Sequence, residues 1–226
     1  MARSLGGLEA AAEWPAVRAR LPDMTGLRVV DLGCGFGWFA RWAREAGASA
    51  VLGLDVSEKM LARARADTHD PAIAYRLDDL ETFGLTAGGF DLAYSSLAFH
   101  YVAGFERLAR IVHAALTPGG RLVFSQEHPI FTAPEKPGWI DGPAGRRAWR
   151  LNDYGREGGR TTNWLAPGVV KQHRTLGTIL NTLIRSGFAI RHVEDWRPSP
   201  EQAAAAPALG ADEFDRPTFL IVEAQR

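Results

Sequence analysis

The sequence predicts an α/β fold: a doubly wound, mainly parallel sheet of seven strands, with a cap inserted after the fifth. Three observations predict it. Short apolar runs ending in Asp or Gly alternate with longer segments at helical spacing. The first run breaks into the glycine-rich turn Gly33-Cys34-Gly35-Phe36-Gly37 before a helical pattern begins. From about Pro129 to Gln172 the alternation stops, and a Gly- and Pro-rich stretch keeps Trp139, Trp149 and Trp164.

Leu27–Leu32 is apolar apart from Arg28 and Asp31, the composition of a parallel strand covered on both faces. After the glycine turn, Phe36, Phe39, Ala40 and Ala43 fall on one helical face, and Gly47 ends that helix. Ala50–Leu54 is the second strand and closes on Asp55; Ser57 is the N-cap of a helix through about Ala66. Ile73–Leu77 and Phe90–Ser95 are the third and fourth strands. Phe105, Leu108, Ala109 and Val112 mark a helix, and the turn Pro118-Gly119-Gly120 precedes the fifth strand, Arg121–Ser125. An irregular connection of this length is expected to be an ordered cap, because disordered segments seldom keep several tryptophans. Beyond it, Leu176, Ile179, Leu180 and Leu183 share a helix face, Gly187 closes the helix, and Phe188–Val193 and Thr218–Ala224 are strands separated by a polar loop.

With 226 residues and 46% hydrophobic content, the chain can bury one full core. A single domain is expected, divided into an N-terminal helical cover (1–25), a core (26–128), the cap (129–172) and a C-terminal helix with two strands (173–226). The 26 basic residues balance 26 acidic ones, so the net charge offers no footprint for nucleic acid or an anionic membrane. The single cysteine, Cys34, excludes an intramolecular disulfide framework and a cysteine-rich zinc site. No metal ligand pair such as H-x-x-x-H occurs, so no metal is expected. Neither a signal-peptide core nor an apolar run of membrane-spanning length is present, and a cytoplasmic monomer or homodimer is the expectation.

The glycine turn narrows the ligand. A dinucleotide fingerprint needs glycine where Trp38 stands, and a Walker loop needs a lysine that this loop lacks. What remains is D-x-G-x-G-x-G, Asp31 to Gly37. Together with Gly53-Leu54-Asp55-Val56-Ser57, Met60 and Leu61, Asp79-Leu80-Glu81, Phe90-Asp91-Leu92, Ser95–Tyr101 and Leu116–Leu122, it resembles the class I S-adenosylmethionine-dependent methyltransferases across roughly residues 25–127. His173-Arg174-Thr175, Leu180-Asn181 and Gly187-Phe188 resemble the small-molecule branch of that family, the methyltransferase type 11 group.

The resemblance implies a Rossmann-like methyltransferase fold whose last strand runs antiparallel, and S-adenosyl-L-methionine as cofactor. It implies that Gly33, Cys34, Gly35 and Gly37 pack around the methionine moiety, with Asp31 near its ammonium. Asp55 would accept from both ribose hydroxyls. Asp79 would accept from the adenine amino group beside the Leu80 amide, with Asp78 the competing choice. Val56, Met60 and Leu80 would enclose the adenine, and Ser95 and Leu97 would stand beside the transferable methyl. Each has a structural alternative: the glycines as a bare tight turn, Asp55 as a helix-terminus charge, Asp79 as a turn residue. Cys34 reads as a small buried residue, without a partner that would make it a nucleophile.

For the acceptor, the residue types offer three histidines. His100 follows the fourth strand, His128 leaves the fifth strand on the ligand edge, and His173 precedes the helix that closes the cap. Any of them could act as general base for a hydroxyl acceptor or equally be structural. Trp139, Tyr154, Trp164 and Tyr101 are candidates for an acceptor pocket, with a satellite core under the cap as the alternative for the cap aromatics. Methyl transfer to an oxygen or nitrogen of a small molecule is the expectation, oxygen being favoured by the available histidines. An RNA or protein acceptor, or a cofactor-binding regulatory protein without turnover, are the rival readings; neutral charge weighs against a nucleic-acid partner.

Overall fold

Five apolar runs in the first 127 residues pair side by side as β1 (Arg28–Leu32), β2 (Ala50–Asp55), β3 (Ile73–Leu77), β4 (Phe90–Ser96) and β5 (Leu116–Glu127). This is a computed structural model, and it describes residues 6–142, 145–162 and 168–226. Short hairpins follow, β6 (Trp139–Asp141) with β7 (Arg147–Trp149) and β8 (Gly158–Thr162) with β9 (Val169–His173), then β10 (Ala189–Asp195) and β11 (Phe219–Gln225). The main sheet has seven strands in the order β10-β11-β5-β4-β1-β2-β3. β3, β2, β1, β4 and β5 are mutually parallel, while β11 runs antiparallel to both β5 and β10.

Strand parity divides the core into two layers. Val30 and Leu32 face one layer, with Leu54, Phe124, Leu108, Val112, Ile179 and Leu183. That side is covered by the helices Phe105–Ala115 and Leu176–Arg185. Val29 faces the other layer, with Val51, Tyr94, Val123 and Ile221, under Phe39, Ala40 and Ala43 of the helix Trp38–Glu45. Because both faces are covered, β1 reads as a nearly continuous apolar run. Ser57 caps the helix Glu58–Ala66 by accepting from the Met60 amide at 3.4 Å, and Thr175 caps Leu176–Arg185 through the Thr178 amide at 3.1 Å.

The structure departs from expectation in three places. β5 begins at Leu116 and carries Pro118–Gly120 inside it, because Leu116 already pairs with Phe90 across a register shift. The N-terminal cover is a 3-10 turn, Leu8–Ala10, and a short helix, Trp14–Arg18, rather than one helix. Residues expected as a polar loop contain the helices Pro200–Ala205 and Pro207–Asp215, each with proline in its first turn. Ser199 and Gln202 form a capping box on the first of them. In the cap, the described residues form the two hairpins and a four-residue helix, Pro129–Thr132.

Candidate functional site

Parallel strands bring all their carboxyl ends to one sheet edge, and a cavity of about 800 Å³ opens there. Its wall is assembled from the residues that leave each strand: Asp31 and Gly33–Phe36 after β1, Asp55–Ser57 after β2, and Asp79–Glu81 beyond β3. Ser96–Ala98 follow from β4 and Glu127 from β5. Gly7, Leu8, Trp14 and Trp38 close one side, while His100, Tyr101 and Phe131 close the far end.

The glycine turn is tight for a steric reason. Gly33 has φ +81°, and a Cβ there would stand 2.5 Å from the Ala98 Cβ; Gly37 has φ +71°, and a Cβ would stand 2.1 Å from the Tyr75 hydroxyl. Asp55 ties this turn to β2. Its Oδ2 accepts from the Gly35 amide at 2.8 Å and its Oδ1 from the Ser57 amide at 2.8 Å. Two carboxylate oxygens offer about four acceptor positions, so two remain for a ligand. Asp31 is buried, and its Oδ2 has no hydrogen-bond partner among the described residues. Burial and the nearby Asp55 charge push its carboxyl well above the usual range. A buried, unpaired carboxylate on a cavity wall suits a cationic ligand group. The Cys34 thiol is likewise driven up by burial and by Asp31 and Asp55, which keeps it protonated.

Asp79 lines the cavity, and its Oδ1 accepts from the Glu81 amide at 2.9 Å, so the turn reading also holds for this residue. Asp78 instead pairs with Arg76 at 2.7 Å and is absent from the cavity wall. Val56, Met60 and Leu80 are on the wall, and Val56 is 68% exposed. Leu97 lines the cavity in a left-handed conformation, φ +53°, and its amide is held by the Ser125 carbonyl at 2.8 Å. Ser95 does not reach the cavity: it is fully buried and donates to the Leu32 carbonyl at 2.7 Å. The next residue, Ser96, takes that position because successive side chains alternate faces.

Of the three histidines, only His100 lines the cavity. Its Nδ1 accepts from the Glu127 amide at a long 3.4 Å, which leaves the ring proton on Nε2. Burial, with the charges of Lys171 and Arg174, pushes its pKa down to about 3, so the ring is neutral. The other two are structural anchors, a correction to their expected place at the acceptor. His128 caps the helix Pro129–Thr132: Nδ1 accepts from the Ile130 amide at 3.0 Å, and Nε2 donates to Asp195 at 2.7 Å. Buried His173 donates from Nε2 to the Tyr154 carbonyl at 2.9 Å and meets the Thr132 hydroxyl through Nδ1 at 2.9 Å. With both ring nitrogens occupied, neither histidine has a position free for an acceptor.

The cap aromatics also lie elsewhere. Trp139 and Trp149 meet edge to face at 5.5 Å, and the Arg216 guanidinium lies 5.6 Å from the first ring, 5.0 Å from the second and 4.9 Å from Phe131. This is a cation-bound satellite core. The Tyr154 hydroxyl accepts from the Leu176 amide at 3.1 Å, tying the cap to the following helix. Trp164 falls outside the described residues. Tyr101 does line the cavity, and burial and Glu127 push its pKa up to about 12.

Sequence reasoning passed over Glu127. It is 8% exposed, lines the cavity, and receives the Lys171 ammonium on Oε1. Its place at the end of a parallel strand was the available signal. Among the described residues, no group of three or more His, Cys, Asp or Glu is arranged to hold a metal ion. Also among them, no helix is long and apolar enough to cross a membrane.

A seven-stranded sheet with one antiparallel strand, a glycine turn and an acid closing β2 defines an α/β enzyme that binds a nucleoside cofactor across its strand ends. Residues 30–124 match the family model described as a methyltransferase domain. An S-adenosylmethionine-dependent methyltransferase from Mesorhizobium loti is 62% identical, covers 97% of this chain and 100% of its own, and superposes with a TM-score of 0.93. A protein from Listeria monocytogenes is 37% identical, with a TM-score of 0.86 over 96% of this chain and 99% of its own. An uncharacterized Haemophilus influenzae protein is 37% identical across 95% of this chain and 87% of its own length. The chain belongs to the S-adenosylmethionine-dependent methyltransferases, and its cofactor is S-adenosyl-L-methionine.

Proposed function

We propose that this enzyme methylates an oxygen or nitrogen of a small-molecule acceptor. The observation that carries the reading is the cavity itself. Its volume lies in the range of sites for a cofactor or small ligand, and it runs from the glycine turn to a far end bounded by His100, Tyr101, Phe131 and Glu127. No lysine or arginine stands on the described wall, which disfavours a phosphate backbone as acceptor.

When bound, S-adenosylmethionine supplies a methyl group already activated by its sulfonium. The chain's own task is to bind, align and exclude water. In this reading Gly33, Cys34, Gly35 and Gly37 pack around the methionine portion and Asp31 pairs with its ammonium. Asp55 accepts from the ribose hydroxyls with its remaining lone pairs, and Asp79 accepts from the adenine amino group. Val56, Met60 and Leu80 cover the ring, Leu97 and Ser96 border the reacting end, and Tyr101 borders the acceptor. Orientation in such a closed site supplies up to ~7–11 kcal/mol of a bimolecular barrier. Residues 26–128 act as the cofactor core, and 129–172 as a strap whose Phe131 reaches the acceptor end.

The test is a titration with S-adenosylhomocysteine, followed by a metabolite screen that detects its release from S-adenosylmethionine. Turnover with small acceptors and none with bulk tRNA or protein supports the reading; the reverse overturns it.

A further inference from the structure

The far end of the cavity carries a carboxylate that no described residue completes. Glu127 closes β5 and is buried; its Oε1 accepts from Lys171, itself 6% exposed, while Oε2 has no hydrogen-bond partner. Leaving such an atom unsatisfied is destabilising, so it marks a position for a donor. Burial raises the Glu127 pKa, opposed by the hydrogen bond and charge of Lys171. Lys171 is not among the described lining residues, although its ammonium lies 5.9 Å from the ring of Phe131, which is.

The charge of the whole wall points the same way. Its carboxylic acids are Glu13, Asp31, Asp55, Asp79, Glu81 and Glu127, with no lysine or arginine among the described lining residues. His100 is neutral, with its proton on Nε2, and Tyr101 keeps its phenolic proton. Lys171 already serves Oε1, so the charge of Glu127 is balanced; what stays open is Oε2, and a carboxylate placed there would bring only acceptors to an atom that needs a donor. A donor would complete Oε2, and Phe131 and Phe219 offer an apolar body a surface.

We propose that Glu127 is the acceptor-recognition group, and that it selects a neutral or cationic molecule with an apolar body presenting an O–H or N–H to Oε2, against a carboxylate. This deepens the methyl-transfer reading of the cavity and rests on it.

The two can fail separately in one series of calorimetric titrations. Absence of S-adenosylhomocysteine binding by the wild type overturns the methyl-transfer reading itself. With that ligand saturating, benzyl alcohol, benzylamine and benzoate are titrated as probes sharing one ring. The expected result is that the alcohol or the amine binds about tenfold or more tighter than benzoate, the scale of one charge-assisted hydrogen bond. Glu127→Gln should then collapse that preference to about twofold or less without moving S-adenosylhomocysteine affinity. If Glu127→Gln alone does not fold because the buried ion pair with Lys171 is broken, Glu127→Gln/Lys171→Met removes both buried charges and gives the same reading. Benzoate binding as tightly as the other two, a preference unmoved by the substitution, or no binding by any of the three overturns the proposal.

Discussion

Asp55 holds Gly35: the carboxylate that closes β2 accepts the amide of the middle glycine of the turn after β1 at 2.8 Å, across 20 residues of sequence. The same side chain accepts the Ser57 amide at 2.8 Å, at the start of the helix Glu58–Ala66. Asp55 therefore shapes the cavity as well as offering acceptors to a ligand. Asp55→Ala should weaken S-adenosylhomocysteine binding by about 1.5–3 kcal/mol and lower the melting temperature of the free protein too. Calorimetry paired with thermal denaturation reads both. A variant with wild-type affinity would remove Asp55 from the ligand's grip, whatever its stability.

The close approach of Gly33 to Ala98 is separable from its backbone conformation. Gly33→Ala meets a Cβ at 2.5 Å and places alanine at φ +81°. Gly33→Ala/Ala98→Gly relieves the contact and leaves a backbone penalty of about 1–2 kcal/mol. The double variant should regain part of the stability lost by the single one. A double variant no more stable than the single one would mean that conformation alone requires glycine there.

Much of this architecture is legible in the chain because its physics is local. Val29, Val30 and Leu32 announce a strand covered on both faces; Phe39, Ala40 and Ala43 announce the helix above it. The glycine turn and the acid ending β2 follow from spacing along the sequence. What was not legible depends on distant partners. His128 and His173 carry the residue type of a base, yet Asp195, Thr132 and the Tyr154 carbonyl occupy their ring nitrogens, and nothing local announces those partners. Trp139 suggested an acceptor pocket, yet it packs edge to face on Trp149 and both rings meet the guanidinium of Arg216, far along the chain. Ser95 was misplaced by one step of strand parity.

Those anchors have a measurable signature. His128→Ala and His173→Ala each remove two hydrogen bonds and should destabilise by about 1–3 kcal/mol, lowering the melting temperature by several degrees. S-adenosylhomocysteine affinity and turnover per folded molecule should stay near wild type at 25 °C. A variant that melts like the wild type but has lost turnover would return that histidine to the chemistry.

Burial of neutral imidazoles also sets a pH dependence. The pKa values of His100, His128 and His173 are all lowered by burial, His100 to about 3. In the unfolded chain each binds a proton near pH 6.5, while the folded state resists it. The unfolded state therefore binds more protons below about pH 6.5, and stability falls as pH drops from there toward the folded values, by up to ~1.4 kcal/mol per unit for each histidine. Above pH 7 this contribution is complete and flat. Denaturant midpoints from pH 8 to 4 test it: His100→Gln should flatten the slope, and an unchanged slope would exclude His100 as a source.

Asp31 supplies the sharpest test of cofactor fit. Its buried Oδ2 has no partner among the described residues, and burial with the neighbouring Asp55 charge holds its pKa well above the carboxylate range. A ligand cation beside it favours the ionised form, which lowers that pKa and drives off whatever proton the free protein holds. Binding of S-adenosylhomocysteine, which carries the ammonium, should release protons. The observed enthalpy should then vary linearly with the ionisation enthalpy of the buffer. Asp31→Asn removes the titrating group, so the buffer dependence should shrink, affinity should fall by about 1.5–3 kcal/mol, and the free protein should melt no lower than wild type because a desolvated acid has been replaced by a neutral amide. Equal proton release in the variant would place the titrating group elsewhere, and unchanged affinity would leave the Asp31 orphan without a ligand to explain it.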